Sequence, residues 1–389
     1  MSSTATDVRR DGLVACAPRR ACAACGAAGL SDLLVIEAVP VHMGCVATPA
    51  ADDAVADQRW ATCDRCGTVQ LAALAPLPLV YQSQHNGAVG GVWARHHAAL
   101  AAFVGERAPR RVVEVGGGAG GLARAYVATA GAAIDAWTVI EPNPAFEPAG
   151  PIALVRAYVE DVGDVVGAAD AIVHSHVLEH IYDPRAFLAT IRAQARPGAT
   201  MLVSVPDLAT LLAQAGSNAL NFEHTYFFDL DLLSWMLADA GFAVVDECRF
   251  EHHSFFLEAR PDGVPGQAGP PPDAGAGARA LSAFVAEARA DAAALAARAA
   301  AYDGPVYLFG AHVFSQFLIG CGFPAARATA VLDNDPAKHG LRLYGTPLTV
   351  EAPAVLSERD AAAVIVRATH YTAEIQEQLQ ALAPHVELW

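Results

Sequence analysis

Residues 111–122, Arg-Val-Val-Glu-Val-Gly-Gly-Gly-Ala-Gly-Gly-Leu, run an apolar strand into a glycine-rich turn and the start of a helix. No other stretch constrains the fold as tightly. Val112, Val113 and Val115 are β-branched residues suited to a buried parallel strand. Gly116, Gly118 and Gly120 let the backbone turn tightly and approach a ligand with no Cβ in the way. Leu122 to Ala130 reads as the helix that follows. The combination predicts a site for a nucleotide-type cofactor. Gly116, Gly118 and Gly121 also satisfy the G-x-G-x-x-G spacing of a dinucleotide fold, so the glycines alone leave the cofactor open.

A second strand, Ala136 to Ile140, ends on Glu141, about twenty residues past the glycines, where a carboxylate accepts both hydroxyls of a ribose. Further strands at 152–155, 169–174 and 200–205 alternate with helical stretches, the βαβ pattern of a doubly wound sheet. Glu114 followed by Gly116, Gly118 and Gly120 resembles the E-x-G-x-G-x-G signature of class I methyltransferases, and His176-Val-Leu-Glu-His180-Ile-Tyr-Asp-Pro resembles their segment after the fourth strand. That resemblance implies S-adenosylmethionine rather than a nicotinamide, held by Glu114, Gly116, Gly118, Gly120, Glu141 and His176. Beyond residue 228, a helix with Leu232, Leu233, Met236, Leu237 and Ala240 at helical spacing precedes two more strands, at 241–245 and 251–259, which read as the C-terminal hairpin of the class I sheet.

Upstream lie two cysteine pairs, Cys22-Ala-Ala-Cys25-Gly26 and Cys63-Asp-Arg-Cys66-Gly67. Two C-x-x-C-G knuckles converge on one tetrahedral ion, because each glycine permits the left-handed turn that aims backbone N–H groups at the thiolates. Zinc is therefore expected, and a site filled by four cysteines leaves no position for water, so its role is structural. The 37 residues between the pairs should carry structure of their own, with a strand at 33–39. Residues 69–72 and 76–81 read as a short strand and a turn, followed by a polar loop, 82–91, placed to act as a lid. Tyr81, His85, His96 and His97 are within reach of a substrate from there, although histidines on such a helix are more often surface residues.

Composition narrows the partners. The chain has 25 basic against 41 acidic residues, a formal charge of −16, which opposes binding to a polyanion such as RNA or DNA. A small-molecule substrate is expected. No apolar run approaches the roughly 18 residues that span a bilayer, and the N-terminus lacks the charged and apolar regions of a secretory signal, so the expectation is a cytoplasmic location with no membrane partner. Oligomeric state is left open.

The reading divides the chain into a zinc-binding module at 1–84, a class I methyltransferase core at 85–260, a Pro- and Gly-rich linker at 261–278, and from 279 to 389 an Ala-rich helix with a small Rossmann-like domain. That last unit pairs a strand at 306–309 and a turn, Gly310-Ala-His312, with a strand ending at Asp333. It is read either as a nucleotide-sugar-binding domain or as a docking domain. The fold class is α/β, a class I Rossmann-like sheet flanked by the two smaller units.

Taken together, these pieces resemble the nucleotide-sugar C-methyltransferases of deoxysugar pathways, such as the mycarose and tetronitrose 3-C-methyltransferases, from Cys22 to Trp389. The resemblance implies that His224 is the general base, with Glu223 beside it and His180 across the pocket, taking the proton next to a ketone so that the enolate attacks the cofactor's methyl. The chemistry itself asks for a group to bind the developing enolate oxygen, Tyr226 or a backbone group, and substrate contacts are expected from Tyr81, His85 and Asn221. Asn221 stands where these sugar enzymes tend to have tyrosine, and the loop after Tyr81 offers His85 and Asn86 instead of their tyrosine- and serine-rich stretch. An O- or N-methyltransferase of a small metabolite is the alternative. An RNA methyltransferase and a non-catalytic cofactor-binding module are further readings, the first opposed by the charge.

Overall fold

A computed structural model describes residues 13–81, 91–130, 133–213, 219–368 and 371–389. His85 and Asn86 lie outside the described residues.

The N-terminal unit is a three-stranded antiparallel sheet of β1 (Leu30–Pro40), β2 (Val55–Cys63) and β3 (Val69–Leu71). β1 covers the strand expected at 33–39 and extends it at both ends, because Leu30 pairs with Cys63 directly beside the second knuckle. Trp60 is buried on β2 and stacks at a tilt on Phe227, 4.9 Å between ring centroids, which fastens this sheet to the next unit. Residues 77–80 form a single helical turn rather than an open one, started by Pro76 and Pro78, whose fixed φ suits a first turn.

Helix α1 (Gly91–Gly105) leads into the central sheet, whose strands are β4 (Arg111–Val115), β5 (Ala136–Ile140), β6 (Ile152–Val155), β7 (Ala171–Ser175), β8 (Thr200–Pro206), β9 (Ala243–Phe250) and β10 (Ser254–Arg260). Their spatial order is β9-β10-β8-β7-β4-β5-β6, parallel except for β10, which runs antiparallel to both neighbours. This is the class I methyltransferase sheet. The order reverses at β4, so the crevice at its C-terminal end, where the glycine turn sits, is where an open α/β sheet binds ligands. Val112, Val113 and Val115 are buried on both faces of the sheet, and each such side chain contributes roughly 1.5–3 kcal/mol on leaving water. β10 begins at Ser254, three residues later than the run suggested, since residues 251–253 form the hairpin turn with Glu251 at φ 48°.

Around this sheet lie α2 (Gly121–Ala130), α3 (Pro184–Gln194) and α4 (Leu230–Asp239). Asp183 and Asp229 cap the last two, each carboxylate accepting from a first-turn amide, Ala186 and Leu232 respectively.

Helix α5 (Ala276–Ala301) starts three residues before the expected position, inside the expected linker. The linker's end is not loose: Ala274 N–H donates to Cys66 O at 2.8 Å, and a Cβ on Gly67 would lie 2.5 Å from Gly275 N. A second, all-parallel sheet follows, with β11 (Val306–Phe309), β12 (Ala330–Leu332), β13 (Val350–Glu351), β14 (Ala363–Val366) and β15 (Glu387–Leu388) in the order β13-β12-β11-β14-β15, packed with α6 (Val313–Gly320) and α7 (Thr372–Leu382). It repeats the parallel part of the central sheet. In both, the glycine after the first strand donates to the last carbonyl of the second, Gly116 to Ile140 and Gly310 to Leu332, each at 2.8 Å.

The C-terminal unit is bolted to the N-terminal sheet. Arg342 forms a bidentate pair with Asp53 at 2.6 and 2.8 Å, and the buried Gln316 carboxamide donates to His42 O and Tyr344 O while accepting from Gly44 N. No helix among the described residues is long and apolar enough to cross a membrane.

Candidate active site

The glycine turn has the backbone the sequence required: Gly116, Gly118 and Gly120 have φ of 76°, 49° and 70°. Space matters as much as φ at Gly116, where a Cβ would stand 2.3 Å from Val177 Cγ2. Glu141, at the end of β5, is drawn back over the turn, its carboxylate accepting from Gly118 N at 3.0 Å and Asn143 N at 2.9 Å. The loop 143–146 closes the other side, with Ala145 N bonded to Gly118 O. A nucleoside fits this cradle: close-approach glycines, a fixed carboxylate beside them, and backbone N–H groups at the start of α2.

Glu114 sits lower than expected. It is buried, 3% exposed, beneath the turn, and its Oε2 accepts from the Trp137 indole at 2.7 Å. Burial pushes its carboxyl up to about 7, against the indole hydrogen bond that lowers it. Its contacts support the turn from below.

His176 follows β7 in the left-handed region, φ 53°, a conformation that costs a non-glycine residue energy and recurs at functional sites. The bend sets Val177 against Gly116 and turns the His176 ring toward β10, where Nε2 lies 2.9 Å from Ser254 Oγ. Trp93 of α1 packs edge-on to that ring, with centroids 4.8 Å apart. Nothing in the sequence distinguished Trp93, Trp137 or Ser254, because each acts through a partner distant in the chain.

A second group of side chains forms where residues 219–228 dock. This loop is clamped on two sides. Leu71 N bonds to Thr225 O and Phe227 N to Val69 O, so the loop pairs with β3; across from it, Thr225 N donates to Glu179 O at 3.0 Å. Within the loop, Asn221 Oδ1 accepts from Glu223 N at 2.7 Å and His224 N at 2.8 Å. This turn presents Glu223 and His224 beside His180: the two histidine rings are 5.0 Å apart, and Glu223 Oε2 is 3.7 Å from His180 Nδ1. His224 Nδ1 lies 3.1 Å from Ala219 O, and since a carbonyl only accepts, Nδ1 carries the proton and Nε2 the lone pair. Tyr81 borders the group, its ring 6.4 Å from His180, with its hydroxyl pushed well above the ordinary range by burial and then by Glu223.

Two expected substrate contacts are placed differently. Asn221 turns its carboxamide oxygen onto its own backbone, as asparagine does in tight turns, and so helps to build the site. Tyr226 is fully buried, and its hydroxyl donates to Leu178 O at 2.8 Å; it pairs with Gln70 across the sheet edge and points into the core.

The cysteines converge. Cys22, Cys25, Cys63 and Cys66 are all buried, with Cys22 Sγ 3.7 Å from Cys66 Sγ and Cys25 Sγ 3.6 Å from Cys63 Sγ. Four thiolates about 2.3 Å from a tetrahedral zinc stand about 3.8 Å apart, so the cluster is compatible with a zinc module. Gly26 and Gly67 take φ of 72° and 71°, and the Cys25 and Arg65 amides point at Cys22 and Cys63 sulfurs. Burial pushes the Cys25 thiol up to about 11, while the hydrogen bond from Cys66 pulls Cys22 down to about 4.

Fold and site define a class I, S-adenosylmethionine-dependent methyltransferase. Comparison with known families gives the two parts of the chain: residues 85–247 match a methyltransferase domain, and residues 276–385 match a C-methyltransferase C-terminal domain. Similar solved structures include human N-acetylserotonin methyltransferase in complex with SAM (19% identity, TM-score 0.36, 44% of this chain and 53% of that one) and the N-methyltransferase NodS from Bradyrhizobium japonicum WM9 (14%, 0.33, 44% and 97%). An S-adenosylmethionine-dependent methyltransferase from Mesorhizobium loti is a third (14%, 0.37, 45% and 100%). The chain thus spans about half the length of the human enzyme. None of the curated proteins compared matches it.

Proposed function

We propose that this methyltransferase transfers the methyl group to a carbon next to the ketone of a nucleotide-linked deoxysugar, with His224 as the base. The observation that carries the reading is the fixed tautomer of His224, whose Nδ1 is tied to Ala219 O so that Nε2 is the nitrogen able to take a proton. A match to a C-methyltransferase C-terminal domain over residues 276–385 supports carbon as the acceptor.

Carbon must become a carbanion equivalent before it accepts a methyl, and a neighbouring ketone lowers that cost. The cofactor supplies an electrophilic methyl on a sulfonium. Glu141 holds the ribose, Gly116 and Gly118 admit the cofactor against the backbone, and His176 and Glu114 keep the turn in shape. His224 takes the proton, and Glu223 and His180 bear on the charge this creates; an imidazole suits the task near neutral pH. Tyr81 borders the acceptor side.

We assign a structural zinc ion to Cys22, Cys25, Cys63 and Cys66. Its four thiolates leave no position for a reacting group.

The test offers a panel of dTDP-4-keto-6-deoxysugars in D2O to wild type and His224→Ala, with and without S-adenosylmethionine, read by NMR and mass spectrometry. Deuterium entering next to the ketone without cofactor, and lost in His224→Ala, is the expected result. A methyl found on oxygen or nitrogen without any exchange rejects the carbon reading.

A further inference from the structure

One carboxylate in the site has no ordinary means of support. Glu179 is fully buried, and neither of its oxygens accepts a hydrogen bond from a donor among the described residues. Its nearest neighbours are two ring nitrogens, both facing Oε1: His176 Nδ1 at 3.4 Å and His180 Nε2 at 3.8 Å. Desolvating a carboxylate without donors is costly, so its charged form persists only where a positive charge appears beside it.

Behind His176 the contacts are short. Ser254 Oγ lies 2.9 Å from His176 Nε2 and 2.6 Å from His253 Nδ1, and Ser254 is itself fully buried. A hydroxyl donates one proton, so it can satisfy only one of the two rings and must accept from the other. With the carboxylate ionised, a single consistent arrangement results. His253 donates from Nδ1 to Ser254 and Ser254 donates to His176 Nε2, which leaves the proton of His176 on Nδ1, the nitrogen 3.4 Å from Glu179 Oε1 and facing it without a formed hydrogen bond. Burial holds the His176 ring well below its ordinary pKa, which keeps it neutral and suited to this one-proton role.

On the opposite side Glu179 meets the reaction. His180 stands between it and His224, with Glu223 on the His180 Nδ1 side. The other titratable groups bearing on it among the described residues are His174, which burial lowers to about 4 and keeps neutral, and Tyr81 and Tyr226, whose phenols are pushed well above neutrality by burial and stay uncharged, with Arg19 beyond Tyr226.

We infer that Glu179 is the buried counter-ion of the His180–His224 base, with the hydrogen-bonded chain His253–Ser254–His176 turning a ring N–H toward it. The inference rests on the carbon-methylation reading for its part in turnover. In that step the C–H bond breaks, its proton goes to His224 Nε2, and its electron pair moves toward the ketone oxygen. The pair then forms the C–CH3 bond as the S–CH3 bond breaks. The site gains one positive charge on imidazole while the substrate gains one negative charge. Glu179 is a positioning residue: it touches neither substrate nor cofactor and sets the cost of that imidazolium.

The test needs no substrate. Full-length protein labelled with 15N-histidine is titrated by NMR as wild type, Glu179→Gln and Ser254→Ala. An opposite charge within about 4–6 Å raises an imidazole pKa by about 1–3 units, so Glu179→Gln should lower the His180 pKa by at least about one unit, and Ser254→Ala should lower it less. Wild type should show His176 and His253 protonated on Nδ1, the nitrogen that free imidazole side chains less often protonate. An unchanged His180 pKa in Glu179→Gln overturns the inference, as does His176 protonated on Nε2. So does a metal ion bound by His96, His176 and His253 in the purified protein, counted beyond the one ion at the cysteines, since it would replace the hydrogen-bonded chain. Should Glu179→Gln fail to fold, the wild-type tautomers and Ser254→Ala still decide. If the titration behaves as expected but no keto-sugar exchanges deuterium, the acceptor reading fails and the counter-ion stands.

Discussion

Gln70 is bridged to Tyr226, and the Gln70 carboxamide oxygen accepts from Ala23 N, 2.8 Å away in the first cysteine knuckle. One residue therefore joins the two, reaching the first cysteine knuckle by its side chain and the loop that carries His224 by its backbone. A zinc ion at the four cysteines, as proposed, would bear on catalysis through position, since four thiolates leave no site for chemistry.

Removing the metal should disable the enzyme without emptying its cofactor site. A chelator, or Cys22→Ser, frees the first knuckle and with it Gln70 and the pairing of residues 225–227. Hydrogen exchange at the Thr225, Tyr226 and Phe227 amides should quicken at least tenfold, with methyl transfer falling in parallel. S-adenosylmethionine affinity, measured by calorimetry, should change less than threefold. Unaltered exchange at these amides would disconnect the two loops.

His224→Ala should lower the rate of methyl transfer by about 10²–10⁴, the usual contribution of a positioned base. His224→Asn is the sharper probe, because its carboxamide still donates to Ala219 O and keeps the turn while losing the lone pair at Nε2. Both variants should bind S-adenosylmethionine as wild type does. A fall below threefold in His224→Asn would remove the residue from the chemistry.

Much of this was legible in the chain because the responsible residues are neighbours in sequence. β4 and β5 were readable from their β-branched runs, the glycine φ values from spacing, and the cysteine cluster from two identical knuckles. What was hidden depends on contacts between distant segments. The sequence offers Tyr226 as a group to bind the enolate oxygen, but pairing with β3 turns its side chain into the core. Asn221 looked like a ligand contact because it replaces a tyrosine, whereas its short carboxamide caps a turn. Ser254 carries no local signal at all. Its partners, His176 and His253, come together only when β10 inserts beside β8.

Gly116→Ala should damage the cofactor site from beneath. The added methyl group would meet Val177 at 2.3 Å with φ already at 76°, so the turn or the strained His176 must shift. A loss of about 1–3 kcal/mol in stability is expected for an alanine forced into the left-handed region in a crowded place. Cofactor affinity should fall at least tenfold. Pairing it with Val177→Ala removes the clash and should recover part of both losses, which denaturant melts and calorimetry can measure.

Glu114→Gln should stabilise the protein at alkaline pH. The folded-state carboxyl is raised to about 7, mainly by burial, above the ordinary 4.5 that the unfolded chain retains. Between those values the folded state binds more protons than the unfolded state, so stability falls as pH rises from about 4.5 to about 7 and is level above. At about 1.4 kcal/mol for each pKa unit, ionising this buried group costs the fold on the order of 3 kcal/mol at pH 8. Glutamine keeps an oxygen for the Trp137 indole, has nearly the same shape, and has no proton to lose. Urea melts of the ligand-free protein should show Glu114→Gln more stable than wild type at pH 8 by about 1–3 kcal/mol and the two nearly equal at pH 5. The opposite order at pH 8 would mean that Glu114 is held as a carboxylate by donors beyond Trp137.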